Sequence, residues 1–135
     1  MEIRYEPGFD LWLNQLAQDE AHHDVYADIA ALLSALETYG HDLIEPESKP
    51  IAQSRFLHEL RRTPPSDAAP FADQPPVIRI LYAFCRTSTG ETIAVVLFGG
   101  DKTDLGNAWY PPSIMNAETR LTSRCGRDKL TPLRN

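Results

Sequence analysis

The sequence predicts a single α+β domain in which two N-terminal helices pack on a small, mainly antiparallel sheet. Three observations favour this fold class: a helical apolar pattern near the N-terminus, three later segments rich in β-branched and aromatic residues, and turn residues between those segments. The 135 residues suffice for one domain and not comfortably for two. The predicted element order is β-α-α-β-β-β-α.

The N-terminal elements follow from local patterns. Residues 2–5 alternate polar and apolar side chains, which predicts a short first strand. Apolar residues at helical spacing predict a helix over about 8–18. A second helix is predicted over about 20–39, because its apolar residues form one stripe, Asp19 can cap its start and Gly40 follows its last turn.

The second half of the chain carries the remaining strands. Arg55–Arg61 alternates in character and predicts a strand. Residues 62–76 contain five prolines and predict a long loop. Val77–Phe84 and Thr92–Phe98 are β-branched and aromatic, and the turn sequence TSTGE between them predicts a hairpin.

The C-terminal part is predicted to be helical and then irregular. Gly99 and Gly100 are expected to end the last strand, and a short apolar stripe predicts a helix over about 112–124. Residues 125–135 are expected to form a frayed tail, so that the domain spans residues 1–124.

Composition excludes several classes of protein. Apolar residues make up 42% and charged residues 24%, as in ordinary globular chains. No apolar run approaches the roughly 20 residues of a membrane span, and the N-terminus does not resemble a secretory signal. Cys85 and Cys125 are too few and too distant for a disulfide framework or a cysteine-rich zinc site, so we expect free thiols and a cytoplasmic protein without a cofactor.

Charge is distributed unevenly along the chain. The net charge is −6, but residues 1–50 carry −9 and residues 51–135 carry +3. A polyanionic partner would therefore meet the second half of the chain. The acidic first half is also explained by a solvated helix face, and charge alone favours that simpler explanation.

The predicted hairpins bring cationic side chains together. If the strands pair as antiparallel neighbours, Arg61 lies near Arg79, and Lys102 follows at the same end of the sheet. His58 lies about one residue pair further in, and Tyr110 comes after a short loop.

This set of residue types suits RNA cleavage without a metal ion. Such a reaction needs a base for the 2′-OH proton, cations around the phosphorane oxygens and an acid for the leaving 5′-oxygen. Arginine suits the oxygens, since its planar fork is always charged. His58, Lys102 or Tyr110 can exchange the protons if their surroundings move the pKa towards neutrality.

The same residues also have structural explanations. Arg61 and Arg79 could simply pair with Glu59 or Asp101, and spacing alone does not decide between the two roles. A half-buried sheet histidine such as His58, or a lysine in the GGDKT turn, is by default structural. GGDKT itself is not a nucleotide-binding P-loop, because the first glycine of that motif is missing at its required spacing.

The ordered motifs LETYG, SRFLHELRR, VIRILYAF, TIAVVLFGGDKT and WYPPSI resemble the RelE/ParE superfamily of bacterial toxin–antitoxin toxins. The likeness is nearest to its HigB-like, phage-related branch and covers about residues 3–122. It implies a RelE-like fold and a toxin that cleaves mRNA, usually on the translating ribosome, until a cognate antitoxin silences it.

The resemblance also implies site residues. By motif position these are Arg61 in HELR, Arg79 in VIRIL and Lys102 in GGDKT, with Tyr110 as a looser match. His58 stands where related toxins often carry a lysine. Two other functions stay open at this point: a toxin of the same fold that blocks a protein target such as DNA gyrase, and a catalytically inactive relative.

Overall fold

A six-stranded sheet runs through the described part of the molecule, with α-helices on both of its faces. The computed structural model describes residues 1–62 and 76–135, so that most of the predicted proline-rich loop lies outside the described residues. The elements, in chain order, are β1 (Ile3–Tyr5), α1 (Pro7–Ala17), α2 (His23–Tyr39), β2 (Ser48–Pro50), β3 (Leu57–Arg61), β4 (Ile78–Arg86), β5 (Thr92–Asp101), α3 (Tyr110–Asp128) and β6 (Thr131–Pro132).

The mixed α+β class is therefore confirmed, and the predicted order lacked two short strands. β2 lies within residues 41–53, where Pro46 and Pro50 in the sequence predict a loop, and β6 lies in the expected tail. Short 3₁₀ turns precede α2 at Glu20–His22 and α3 at Gly106–Trp109. Asp19 caps the first of these turns by accepting a hydrogen bond from the backbone N–H of Ala21, rather than capping α2 itself.

The strands lie in the order β1-β5-β4-β3-β2, and β6 pairs with the end of β4. β1 runs parallel to β5, whereas all the other pairs are antiparallel. The central strands β4 and β5 are covered on both faces, which explains why their sequences are nearly continuous apolar runs.

Side-chain alternation along the strands divides the core into two layers. On one face α1 and α2 contribute Phe9, Ile29 and Leu36, which pack with Ile80 and Tyr82 of β4. The other face carries α3. Ala117 and Leu121 of α3 belong to the core on this side. They pack with the alternate positions of the same strands, which include Leu81 and Val95.

The prediction that Gly99 and Gly100 end the last strand is wrong, because β5 continues through both to Asp101. Each glycine instead makes room for a tryptophan. A Cβ atom on Gly99 would lie 2.5 Å from Cζ3 of Trp12, and one on Gly100 would lie 2.8 Å from Nε1 of Trp109. A side chain at either position would therefore force the indole above it to shift.

The prediction of a frayed tail over residues 125–135 is also wrong. α3 continues to Asp128, Leu130 is buried in the core, and β6 adds to the sheet. The side-chain amide of Asn135 then donates hydrogen bonds to three backbone carbonyls, those of Ile51, Ser54 and Leu57. The end of the chain therefore holds the segment between β2 and β3 in place. None of the described helices has the length and apolarity of a membrane-spanning segment.

Candidate functional site

A cavity of about 550 Å³ opens on the α3 face, at the end of the sheet where β3 ends and α3 begins. Its walls come from β2 and the turn that follows it, from β3, from the loop after β5 and from the first turns of α3. Among its lining residues are three of the predicted site residues, Arg61, Lys102 and Tyr110. The cavity therefore unites predicted site residues from distant parts of the chain, since Arg61 and Tyr110 are 49 positions apart.

The strand register brings the cations together. Arg61 on β3 is the direct partner of Arg79 on β4, as the hairpin prediction required, and Arg79 in turn faces Gly100 on β5. The backbone N–H of Lys102 donates a hydrogen bond of 2.9 Å to the carbonyl of Val77, which fixes the chain just beyond the end of β5. Three positive charges thus lie at one end of the sheet.

Arg79 is buried behind the cavity and is not part of its lining. Its side chain is 5% exposed, and its Nη1 donates to the backbone carbonyls of Ile78, at 2.9 Å, and Arg62, at 3.2 Å. Its Nε has no hydrogen-bond partner among the described residues. Arg79 therefore lies behind the cavity wall, where its side chain reaches Tyr110 and its charge acts on Lys102.

Glu59 is a buried carboxylate that lines the cavity. The sequence predicted it only as an ion-pair partner of the arginines. It is 1% exposed, and its Oε1 lies 3.7 Å from Nε of Arg61. Its Oε2 has no hydrogen-bond partner among the described residues. A buried carboxylate oxygen without a partner is costly, which favours a role in binding or proton transfer at this position.

Alternation within HELR could have revealed this arrangement, because positions two apart on a strand share a face. Lys49 was missed for a different reason. It lies on β2, directly opposite Glu59 in the strand register, and lines the same cavity. Pro46 and Pro50 predicted a loop over residues 41–53, so β2 was not expected there.

Lys102 and Tyr110 contact each other at the mouth of the cavity. The Nζ atom of Lys102 lies 5.0 Å from the ring centroid of Tyr110, which is a cation–π distance. Burial, followed by the charge of Arg79, lowers the pKa of Lys102, whereas Glu59 opposes that shift. Burial and then Glu59 raise the pKa of Tyr110, and Arg79 acts in the opposite direction. Lys102 therefore releases its proton more easily than an ordinary lysine, and Tyr110 holds its proton more firmly than an ordinary tyrosine.

Packing of the preceding residue fixes the position of Tyr110. Trp109 is 6% exposed and lies over Gly100, and its ring contacts the Tyr110 ring edge-on at a centroid distance of 5.2 Å. The start of α3 is thereby held against β5. The tyrosine is placed by the core and not by a mobile loop.

His58 lies on the opposite face of the sheet, so the prediction that it joins the cations is wrong. His58 is one position from Glu59 on the strand, so it points towards the α2 layer. Its ring stacks on Tyr82 at a centroid distance of 5.2 Å and meets Phe84 edge-on at 5.1 Å. A separate cavity of about 240 Å³ lies beside it. Burial and then the nearby His41 lower its pKa to about 4.

The chain matches no protein-family model, and it has no significant match among curated proteins or solved structures. The likeness to RelE/ParE toxins therefore stays a prediction that depends on the motif residues. The chemistry of the cavity is the independent basis on which a function can be proposed.

Proposed function

We propose that this chain is a RelE/ParE-type toxin, a metal-independent endoribonuclease that cleaves mRNA and inhibits growth. One observation supports the proposal above all others: a single cavity joins the cations Lys49, Arg61 and Lys102 and the phenol of Tyr110 to the buried carboxylate of Glu59, whose Oε2 has no hydrogen-bond partner among the described residues. Cations, a base and an acid are the groups that phosphodiester cleavage through the 2′-OH requires.

The proton transfers are assigned as follows. The carboxylate of Glu59 takes the proton of the 2′-OH, and the resulting oxygen attacks the adjacent phosphorus. The bond from phosphorus to the 5′-oxygen breaks as the new bond forms, which leaves a 2′,3′-cyclic phosphate. Lys102 gives its proton to the departing 5′-oxygen, and its lowered pKa makes it a better acid than an ordinary lysine.

The remaining cations stabilise the developing charge. Arg61 and Lys49 line the cavity, so they can contact the non-bridging phosphate oxygens. Arg79 is buried behind them and serves as a positioning residue: its charge keeps Lys102 acidic and balances Glu59. This division differs from the sequence prediction, in which Arg79 held the phosphate itself and His58 was a candidate base.

The proposed partners are mRNA, on or off the ribosome, and a cognate antitoxin in the cytoplasm. An antitoxin segment would cover the cationic end of the sheet or lie against the acidic region 19–42. Co-purification with the product of a neighbouring small reading frame tests this partnership. Recovery of a free, non-toxic monomer would count against it.

Cleavage of mRNA by the purified protein, with EDTA present and with or without ribosomes, tests the activity. We expect cleavage that survives EDTA, yields 2′,3′-cyclic phosphate ends and fails on a substrate with 2′-deoxyribose at the cut position. Arg61→Ala and Lys102→Ala should each lower the rate by about 10²-fold or more. Arg86→Ala is the matched control, since this exposed arginine ends β4 away from the cavity.

Two outcomes would replace the proposal. Intact transcripts together with inhibited DNA supercoiling would indicate a non-nuclease toxin that acts on gyrase. Intact transcripts and unaffected growth on induction would indicate a catalytically inactive relative.

A further inference from the structure

The two cysteine thiols lie against each other between β4 and α3, and the proposed cleavage reaction does not use them. Cys85 is near the C-terminal end of β4, where it alternates with Leu81 and Ala83 on the face that α3 covers. Cys125 lies on α3 one turn after Leu121 and packs against the core cluster that contains Cys85. Strand alternation and helical spacing thus bring together two free thiols that are 40 positions apart.

The two thiols differ in exposure and in the ease of ionisation. Cys85 is fully buried, whereas Cys125 is partly exposed and lines a cavity of about 540 Å³. Burial raises the pKa of Cys85 to about 12, and the adjacent Cys125 adds to that shift. Burial also raises the pKa of Cys125, but a hydrogen bond from Cys85 opposes the increase. The contact therefore favours a thiolate on Cys125, the thiol that an external reagent can reach.

We propose that Cys85 and Cys125 form a redox-active pair that exchanges with an anionic low-molecular-weight disulfide, the oxidised form of a small peptide thiol. Cys125 reacts first, and Cys85 then closes an intramolecular disulfide that joins β4 to α3. This inference goes beyond the proposed function and does not depend on it.

The exchange takes place in two steps. The thiolate of Cys125 attacks one sulfur of the external disulfide, so that a mixed disulfide forms, the external S–S bond breaks and one external thiolate leaves. The thiolate of Cys85 then attacks the Cys125 sulfur, the bond between the two cysteines forms and the second external thiolate leaves. The chain gives up two electrons and two protons, which reduce the external disulfide to two thiols.

The cavity beside Cys125 suits a small anionic peptide. Its volume of about 540 Å³ is in the range of small-molecule sites, and Phe56 and Leu121 contribute apolar wall. Arg55 lines it as an exposed cation that can attract a carboxylate. Glu118 lines it too, but its carboxylate already accepts a hydrogen bond of 2.8 Å from a serine hydroxyl.

The backbone on both sides of the thiol pair is held by hydrogen bonds. Cys85 pairs with Pro132 of β6 in the strand register, and the backbone N–H of Leu130 donates a hydrogen bond of 3.0 Å to the Cys125 carbonyl. The second thiol therefore stays next to the first, so its effective concentration is high. Closure of the internal disulfide is expected to outcompete a lasting external adduct.

Incubation of the full chain in graded glutathione redox buffers, followed by acid quenching, intact-mass analysis and peptide mapping, tests the pair. We expect a product that has lost two hydrogen atoms and carries one disulfide between residues 85 and 125. The oxidised protein should unfold at a temperature higher by at least about 5 °C, because the bond closes a long loop.

Variants test the order of the two steps. Cys85→Ala should stop at a glutathione adduct on Cys125, and Cys125→Ala should form neither product. Arg55→Gln should slow adduct formation with oxidised glutathione by about threefold, since it removes the attracting charge. The uncharged hydroxyethyl disulfide is the matched control reagent, and its rate should be unchanged in that variant.

The mapping uses the original protein, so its result does not depend on whether the variants fold. Two thiols that react only after denaturation, or a disulfide that forms only between two chains, would overturn the pair. An adduct on Cys85 in the Cys125→Ala protein would overturn the assigned order. None of these measurements involves RNA, so their failure is distinct from a failure of the nuclease proposal.

Discussion

Arg61 and Arg79 face each other directly across β3 and β4, on the same side of the sheet. Like charges in directly opposite strand positions are destabilising unless something offsets them. Glu59 lies on the same face, 3.7 Å from the Arg61 guanidinium. The single carboxylate of Glu59 cannot balance the positive charges of the two guanidinium groups and Lys102. The remaining positive charge is one that an incoming phosphate can neutralise.

Removal of the Glu59 charge should destabilise the protein. Glu59→Gln leaves the two opposed guanidinium groups uncompensated in a buried setting, so we expect the free energy of unfolding to fall by about 2–4 kcal/mol. Arg79→Met should lower the free energy of unfolding by less in the Glu59→Gln protein than in the original protein, because in the variant it removes an unpaired buried charge. Denaturant unfolding of the four proteins measures this coupling, and strictly additive losses would contradict it.

The alkaline limb of the pH–rate profile should follow the deprotonation of Lys102. As the acid, Lys102 must be protonated, so cleavage should decline as the pH rises through its pKa, which burial and Arg79 hold below the usual value of about 10.4. In Arg79→Met the midpoint of this decline should move to higher pH, since a repelling cation is gone. Rates on a short RNA, corrected for alkaline hydrolysis, measure the shift. An unmoved midpoint would exclude Lys102 as the acid.

Two glycine variants should have opposite effects. Gly100→Ala places a methyl group 2.8 Å from Trp109 Nε1, so we expect a loss of about 1–3 kcal/mol and slower cleavage, because Tyr110 follows Trp109. Gly126→Ala on α3 has nothing within 4 Å and should stabilise the helix by up to about 1 kcal/mol with unchanged cleavage. Thermal unfolding and cleavage rates check both, and equal behaviour of the two variants would refute the packing argument.

His58 should make the protein sensitive to acid. Its folded-state pKa of about 4 lies below the unfolded value of about 6.5, so the unfolded chain binds a proton first as the pH falls. Stability should therefore drop between about pH 6.5 and pH 4, by about 1–2 kcal/mol after allowance for the partial exposure of the ring. Urea unfolding at several pH values measures this slope. His58→Phe should flatten it, and an unchanged slope would assign it to other groups.

Much of the fold could be predicted from the sequence because its signals are local. The stripe of α2 and the apolar runs of β4 and β5 each lie within about 20 residues, and their positions were placed to within a few residues. β2 was not predicted because its region contains Pro46 and Pro50, and β6 was not predicted because it is only two residues long. Both strands exist through pairing with a neighbour. Two consecutive glycines in a sequence are typical of a strand end. Here Gly99 and Gly100 instead make room for two tryptophans that are distant in the chain.

The site was predictable where strand register alone decides it. The opposition of Arg61 and Arg79 follows from hairpin pairing, and Lys102 follows from the length of β5. The assignment of His58 failed because proximity along a strand was considered without the alternation of faces. Lys49 depends on β2 and could only be seen once β2 was known. Glu59 was visible as a charge partner, but its burial depends on the tertiary structure around the cavity and not on a local pattern.

The two tryptophans, one on each face of β5, also provide the protein with two intrinsic fluorescence probes. Trp12 belongs to the α1 layer, and Trp109 contacts Tyr110, which lines the cavity; the chain has no other indole. A Trp12→Phe protein would confine fluorescence to the cavity side, so that quenching on nucleotide addition could be followed without a label. The complementary Trp109→Phe protein would monitor the α1 layer, and comparison of the two would show whether both halves of the core melt together.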